Sequence, residues 1–191
     1  MKNSIVAIHQ PNFFPWLGYF DKIIKSHKFI FLNDVQFPKK GGSWSNRVKL
    51  LIAGEARWIT ASVNRDYSGT KQIREMYFLD KDPWKKKILK TLEANYKKHN
   101  FYDETMNLIE PLILNNESNV SDYNINSILE ISKYLGIDTN KFILSSDLSC
   151  SSSSTELLCC LTSKVGGTIY LCGGGAEGYQ EDKIFLKAGI S

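Results

Sequence analysis

Apolar residues first run together at Ile5–Ile8 and stop abruptly at His9-Gln10. A short continuous run of this kind predicts a buried strand of a parallel sheet. Leu17, Phe20, Ile23 and Ile24 then fall at i, i+3, i+6 and i+7, one stripe of a helix over about 17–25. A second apolar run, Phe29–Leu32, ends in Asn33-Asp34. Strand, loop, helix and strand within about 30 residues is the size of a right-handed βαβ crossover. Both strands end in polar residues, and in a parallel pair these ends share one carboxyl edge. The loop between, Pro11 to Trp16, carries two prolines and three aromatic residues, more than a simple connection needs.

The period changes after a glycine-rich bend at 39–43. Arg47–Ile52 and Arg57–Val63 flank Ala53-Gly54-Glu55, and the second run alternates, so a β-hairpin is expected. Insertions of this kind often cover a site. Residues 64–72 read as a polar loop and Ile73–Leu79 as a third short strand. Asp82-Pro83 reads as a helix start, with Asp as the cap and Pro in the first position. Asp103 is expected to cap a second helix to about Leu114, and a third, about 122–135, stops at Gly136. Phe142–Leu144 is a further strand, and Ser153–Glu156 matches a capping box before a helix over 155–164. Thr168–Leu171 is the last strand and leads into Gly173-Gly174-Gly175.

The fold class expected is α/β: a Rossmann-like parallel sheet in a single domain over 1–191, with a hairpin insertion at about 43–65 and a helical layer or subdomain at about 82–136. Phe185–Ser191 shows neither a cap nor a closing strand, so a truncated C-terminus is expected.

Composition changes little. Hydrophobic content of 42% and charged content of 23% are those of a globular protein. A net charge of +4 suits a phosphorylated or nucleotide-linked substrate but is small for a nucleic-acid binder, and no nucleic-acid module is recognisable. Lys39-Lys40 and Lys85-Lys86-Lys87 read as solvated surface. Neither a leader peptide nor a membrane-spanning stretch is visible, which predicts a cytoplasmic protein without membrane insertion. Cysteines 150, 159, 160 and 172 fit neither a zinc pattern nor a disulfide framework and read as reduced. Histidines at 9, 27 and 99 are too dispersed for a metal site.

The candidate chemistry gathers at the strand ends. His9 can act as a general base, contact a phosphate or simply tie the turn. Asp34 can orient His9, bind a sugar hydroxyl or form an Asx turn. Gln10, Gln36 and Asn46 can read a polar ligand, and Arg47 offers a fork for carboxylate or phosphate. Trp16 and Tyr19 can stack on a base or sugar face. Gly173 and Gly174 can present backbone amides to an anion, although the spacing matches no dinucleotide fingerprint or Walker lysine.

His9-Gln10-Pro11 with Phe14-Pro15-Trp16 and Gly18-Tyr19, then Asp34–Phe37, Ser45–Lys49 and Trp58–Thr60, with Tyr170 and Tyr179 near the end, resemble the WbqC-like protein family along essentially the whole chain. The resemblance implies a bacterial protein of O-antigen or other surface-polysaccharide biosynthesis that transfers glycine or a related acyl group to an amino sugar. His9 and Asp34 would be catalytic, and Gln10, Trp16, Tyr19, Gln36, Asn46, Arg47, Gly173 and Gly174 would bind substrate. Partners would be a small-molecule sugar or nucleotide-sugar and other polysaccharide enzymes. The alternative is a non-catalytic sugar- or nucleotide-sugar-binding module. No cofactor is fixed; ATP is compatible, because nucleotidylyltransferases and class I aminoacyl-tRNA synthetases also hold ATP with a histidine loop after a first strand. The second histidine of their motif is missing here. The chain also departs from the family at Cys172 and at its third glycine, and it ends before family members usually do.

Overall fold

The computed structural model describes residues 3–79, 81–173 and 181–191. In chain order the elements are β1 (Ile5–His9), α1 (Leu17–Lys25), β2 (Lys28–Phe31), β3 (Arg47–Ile52), β4 (Glu55–Thr60), α2 (Trp84–Tyr96), α3 (Tyr102–Leu114), α4 (Val120–Tyr134), β5 (Phe142–Leu144), α5 (Ser154–Lys164), β6 (Ile169–Leu171) and α6 (Asp182–Lys187). They form two compact units. Unit 1 is Met1–Gln10, Trp16–Asp34 and Gly136–Ser191; unit 2 is Pro11–Pro15 and Val35–Leu135.

Unit 1 carries the α/β fold. Its four strands are ordered β5-β2-β1-β6 and every pair is parallel. Ala7 pairs with Phe29 on one side and Leu171 on the other, and His9 pairs with Phe31. Val6, Ala7, Phe29 and Ile30 are fully buried, as continuous apolar strands covered on both faces must be. Val6, Ile8 and Ile30 pack with Leu161 and Val165 of the α5 region. The final residue joins this sheet's edge: the Ser191 amide donates to Thr168 at 3.0 Å and its carbonyl accepts from Tyr170 at 2.8 Å. The sequence pattern offered no closing partner there, because a single residue carries no period.

Unit 2 contains the antiparallel β3–β4 hairpin, in which Val48 opposes Ile59, and helices α2, α3 and α4. Its core includes Phe13, Phe37, Ile73, Met76, Trp84 and Tyr123. The proline-aromatic loop belongs here. Phe13 donates its amide to Trp44 at 2.8 Å and stacks on Tyr123 at 6.1 Å, while the Asn124 side chain donates to Pro11 at 2.9 Å and Ser45 at 2.7 Å.

Several local expectations change. Ile73–Leu79 forms no strand: Gln72 and Glu75 make a reciprocal capping box over a 3-10 turn at Ile73–Glu75, and only isolated bridges follow at Tyr77 and Phe78. Asp82 does not cap α2; its carboxylate accepts from the Ser62 hydroxyl and, at 2.9 Å, from Lys87, leaving Pro83 as the cap residue. Asp103 lies inside the first turn of α3, where its charge complements the helix dipole. Asn119 caps α4, accepting from Ser121 and Asp122. The expected box at Ser153–Glu156 does not form: Ser153 precedes α5 without a side-chain cap bond, and Ser154 sits at a left-handed φ of 50°.

The cysteine expectation is also corrected. Cys150 and Cys160 are bonded, with Cα atoms 6.3 Å apart. The serine-rich segment turns back onto α5, helped by Ser149 at φ 51°, so two residues ten apart meet without any motif spacing. Cys159 is buried and Cys172 is exposed, both as free thiols.

Candidate functional site

The strand order locates a site before any side chain is considered. The chain runs outward from β1 to β2 and β5, then returns to the opposite side of β1 as β6. The carboxyl ends of β1 and β6 therefore form the topological switch point, the crevice in which open α/β sheets bind ligands. His9 ends β1 and Cys172 follows β6.

The His9 ring is held between aromatic and basic neighbours. Its centroid lies 4.8 Å from Tyr19 and 5.9 Å from Trp16, both in tilted or edge contact. Nδ1 is 3.1 Å from the Gln10 carbonyl, which the Tyr19 hydroxyl also reaches at 3.0 Å. With the Nδ1 proton on that carbonyl, Nε2 keeps its lone pair. Burial, reinforced by the charge of Lys22, lowers the imidazole pKa from 6.5 to about 4, although the Gln10 contact opposes the shift. The ring is neutral at physiological pH.

Lys22 is the residue that sequence reasoning missed. It extends from α1 and donates to the Ile8 carbonyl at 3.0 Å, one residue before His9. Its ammonium lies 5.9 Å from the Tyr170 ring centroid. Burial pulls its pKa from 10.5 to about 8, while nearby Cys172 works in the opposite direction. Perturbed groups at a sheet's carboxyl edge are functional candidates. The available signal was its position three residues after Tyr19, which places both on one helix face.

The other candidates divide between the units. In unit 1, Asp34 is half-buried and accepts from the Ser145 hydroxyl, which also lies 3.2 Å from the Asn33 side chain. Trp16 is 47% exposed, whereas Tyr19 is buried and packs His9 against Phe29. Gly173 is exposed, and no described residue beyond its chain neighbours lies within 4 Å of where its side chain would stand. Gly174, Gly175 and Tyr179 lie outside the described residues.

In unit 2, Asn46 is buried, with its carbonyl oxygen accepting from Ser43 at 3.0 Å and its amide donating to Ala61 at 3.0 Å. Those bonds fasten the start of the hairpin. Arg47 stacks on Trp58 at 4.0 Å and lies so close to Gly42 that a Cβ there would meet its guanidinium at 2.4 Å. Gln36 is exposed and bridges to Gln72. Asn12 is buried, and neither end of its carboxamide has a bonded partner among the described residues, a costly state for a polar group.

The WbqC-like protein family pattern matches residues 10–191, nearly the whole chain. The chain belongs to the WbqC-like protein family. This WbqC-like protein is also 32% identical over 186 residues to an uncharacterized protein of Mycobacterium tuberculosis, covering 97% of this chain and 79% of the relative. No solved structure matches it. Among the described residues of this WbqC-like protein, no group of three or more potential ligands could hold a metal ion, and no helix is long and apolar enough to cross a membrane.

Proposed function

We propose that this protein transfers glycine or a related acyl group to the amine of an amino sugar during assembly of a bacterial surface polysaccharide such as O-antigen. The observation that carries the reading is the neutral imidazole of His9 at the switch point, with Lys22 nearby and the exposed Trp16 ring against it. Trp16 offers a stacking face for a sugar, Lys22 an anchor for a phosphate or carboxylate, and Nε2 of His9 a lone pair.

In the proposed step, the sugar amine attacks the carbonyl carbon of an activated acyl donor, an acyl adenylate or thioester. The C–N bond forms and the bond from carbon to the leaving group breaks. The nitrogen, made acidic by bond formation, passes its proton to Nε2 of His9, which releases it to solvent or the leaving group. A weak base suffices because the proton moves only after the amine has become positively charged. Asp34, Gln10 and Gly173 are proposed to orient the substrate in unit 1. Within unit 2, Asn46 holds the backbone from which Arg47 extends.

One observation favours a second reading. The Nδ1 contact with Gln10 and the low imidazole pKa also suit a histidine that only fixes the turn, which fits a non-catalytic sugar-binding module. Incubation with amino sugar nucleotides, glycine and ATP, followed by product mass, separates them. Transfer abolished by His9→Ala supports the enzyme; saturable sugar binding without product from any activated donor supports the module.

A further inference from the structure

Unit 2 holds an apolar cavity of about 370 Å³, within the range of small-molecule sites. Its walls include Val48 and Leu50 of the hairpin, Leu92 of α2, Met106 and Ile109 of α3, and Phe14. Apolar wall atoms that line an open cavity of this size forgo dispersion contacts that an occupant would restore. Two bonds link the hairpin wall to the α2 wall. The Tyr96 hydroxyl donates to the Leu51 carbonyl at 2.8 Å, and the Ala53 amide donates to the Asn95 side chain at 3.1 Å. They pin the hairpin turn to the end of α2. Phe14 sits at φ 42°, a left-handed conformation costly for an aromatic residue and characteristic of ligand sites.

The open end is set by His99, Phe101 and Thr105, which are exposed members of the lining. Phe101 is 72% exposed. Lys97 and Lys98 precede His99; Lys97 is held by Glu93 at 2.8 Å, and Lys98 is exposed. The interior is therefore apolar, and polar groups and charges of both signs, Lys98, Asp103 and Glu104 among them, stand where the chain turns from α2 to α3. At about 30 Å³ per water-sized unit, the cavity has room for on the order of twelve methylene-sized groups.

We propose that this cavity binds the hydrocarbon chain of a single-chain acyl lipid, with its polar head at the His99–Thr105 mouth. The site lies wholly within unit 2, and the proposal stands apart from the acyl-transfer reading. Each methylene moved from water adds to the affinity, so the chain supplies the affinity and the head sets only its direction.

The probe is dodecanoate below its micelle concentration, titrated by calorimetry into the full chain, with butanoate for comparison. Saturable one-to-one binding of dodecanoate is expected, with butanoate at least about a hundredfold weaker. Leu92→Trp and Met106→Trp fill the cavity from α2 and from α3. Either variant that retains the wild-type circular dichroism and melting transition should bind about tenfold or more weakly. His9→Asn should bind dodecanoate like wild type, which keeps this test separate from that of the transfer reaction. Absence of saturable dodecanoate binding overturns the proposal, as does undiminished binding by the folded filled variants. Concentration-dependent dimers that Leu92→Trp abolishes overturn it in favour of a second copy of the chain.

Discussion

The ammonium of Lys22 donates to the carbonyl of Ile8, the residue immediately before His9, at 3.0 Å. A helix residue is thereby fastened to the last turn of the central strand, and its charge lies close enough to oppose protonation of the imidazole. Each group is displaced from its solution pKa toward neutrality, chiefly by burial. The pair sets the pH behaviour expected of the protein.

Stability should rise with pH between about 4 and 6.5. The folded His9 takes up a proton only near pH 4, whereas the unfolded chain does so near 6.5, so the unfolded state binds more protons in this window. The stabilisation lost on acidification across it is on the order of 2–3 kcal/mol. His9→Asn should flatten this part of the profile, as followed by the melting temperature at a series of pH values. An unchanged slope would show that other groups set it.

Lys22 should limit anion binding on the alkaline side. Its charge is lost as pH rises through about 8, so affinity for inorganic phosphate or a sugar phosphate should fall there. Lys22→Arg, which stays charged, should abolish that alkaline fall, and Lys22→Met should weaken binding about tenfold at pH 7. Isothermal titration across pH reads all three.

Gly18→Ala isolates the role of Trp16. A Cβ at Gly18 would stand 2.8 Å from the indole nitrogen of Trp16, so the ring must move. Replacing glycine near the start of α1 with alanine favours the helix by up to about 1 kcal/mol. The variant should melt no lower than wild type yet bind amino sugars several-fold more weakly. Sugar titration monitored by tryptophan fluorescence tests this, and wild-type affinity would remove Trp16 from the site.

The first βαβ unit was legible because its apolar runs and helical stripe are local and end in polar residues. The parallel sheet followed from that unit and its late echo around α5 and β6. Long-range partnerships were not legible. Lys22 looks like any solvated lysine until the α1 register turns it toward Ile8. Asp34 gave no sign of Ser145, which lies 111 residues away. The Pro11–Pro15 loop resembled part of a ligand site, but Phe13 is spent on the core of unit 2. Asn46 gave no sign of its partners, since both ends of its amide bond backbone, at Ser43 and Ala61.

The Cys150–Cys160 bond predicts a thiol count. Two free thiols, Cys159 and Cys172, should react when the protein is denatured without reductant, and all four cysteines after reduction. Closing a loop of this length stabilises a protein by roughly 2–3 kcal/mol, so Cys160→Ser should lower the melting temperature by several degrees. Four reactive thiols before reduction would contradict the pairing.

The most direct test of the central claim is the pH dependence of kcat/KM for acyl transfer to an amino sugar nucleotide, measured by product mass for wild type, His9→Ala and Lys22→Arg. The neutral-imidazole account predicts a plateau from about pH 5 to 8, with an alkaline limb absent from Lys22→Arg and a loss of at least about a hundredfold in His9→Ala. Wild-type turnover that survives His9→Ala, with its pH profile unchanged, would contradict it.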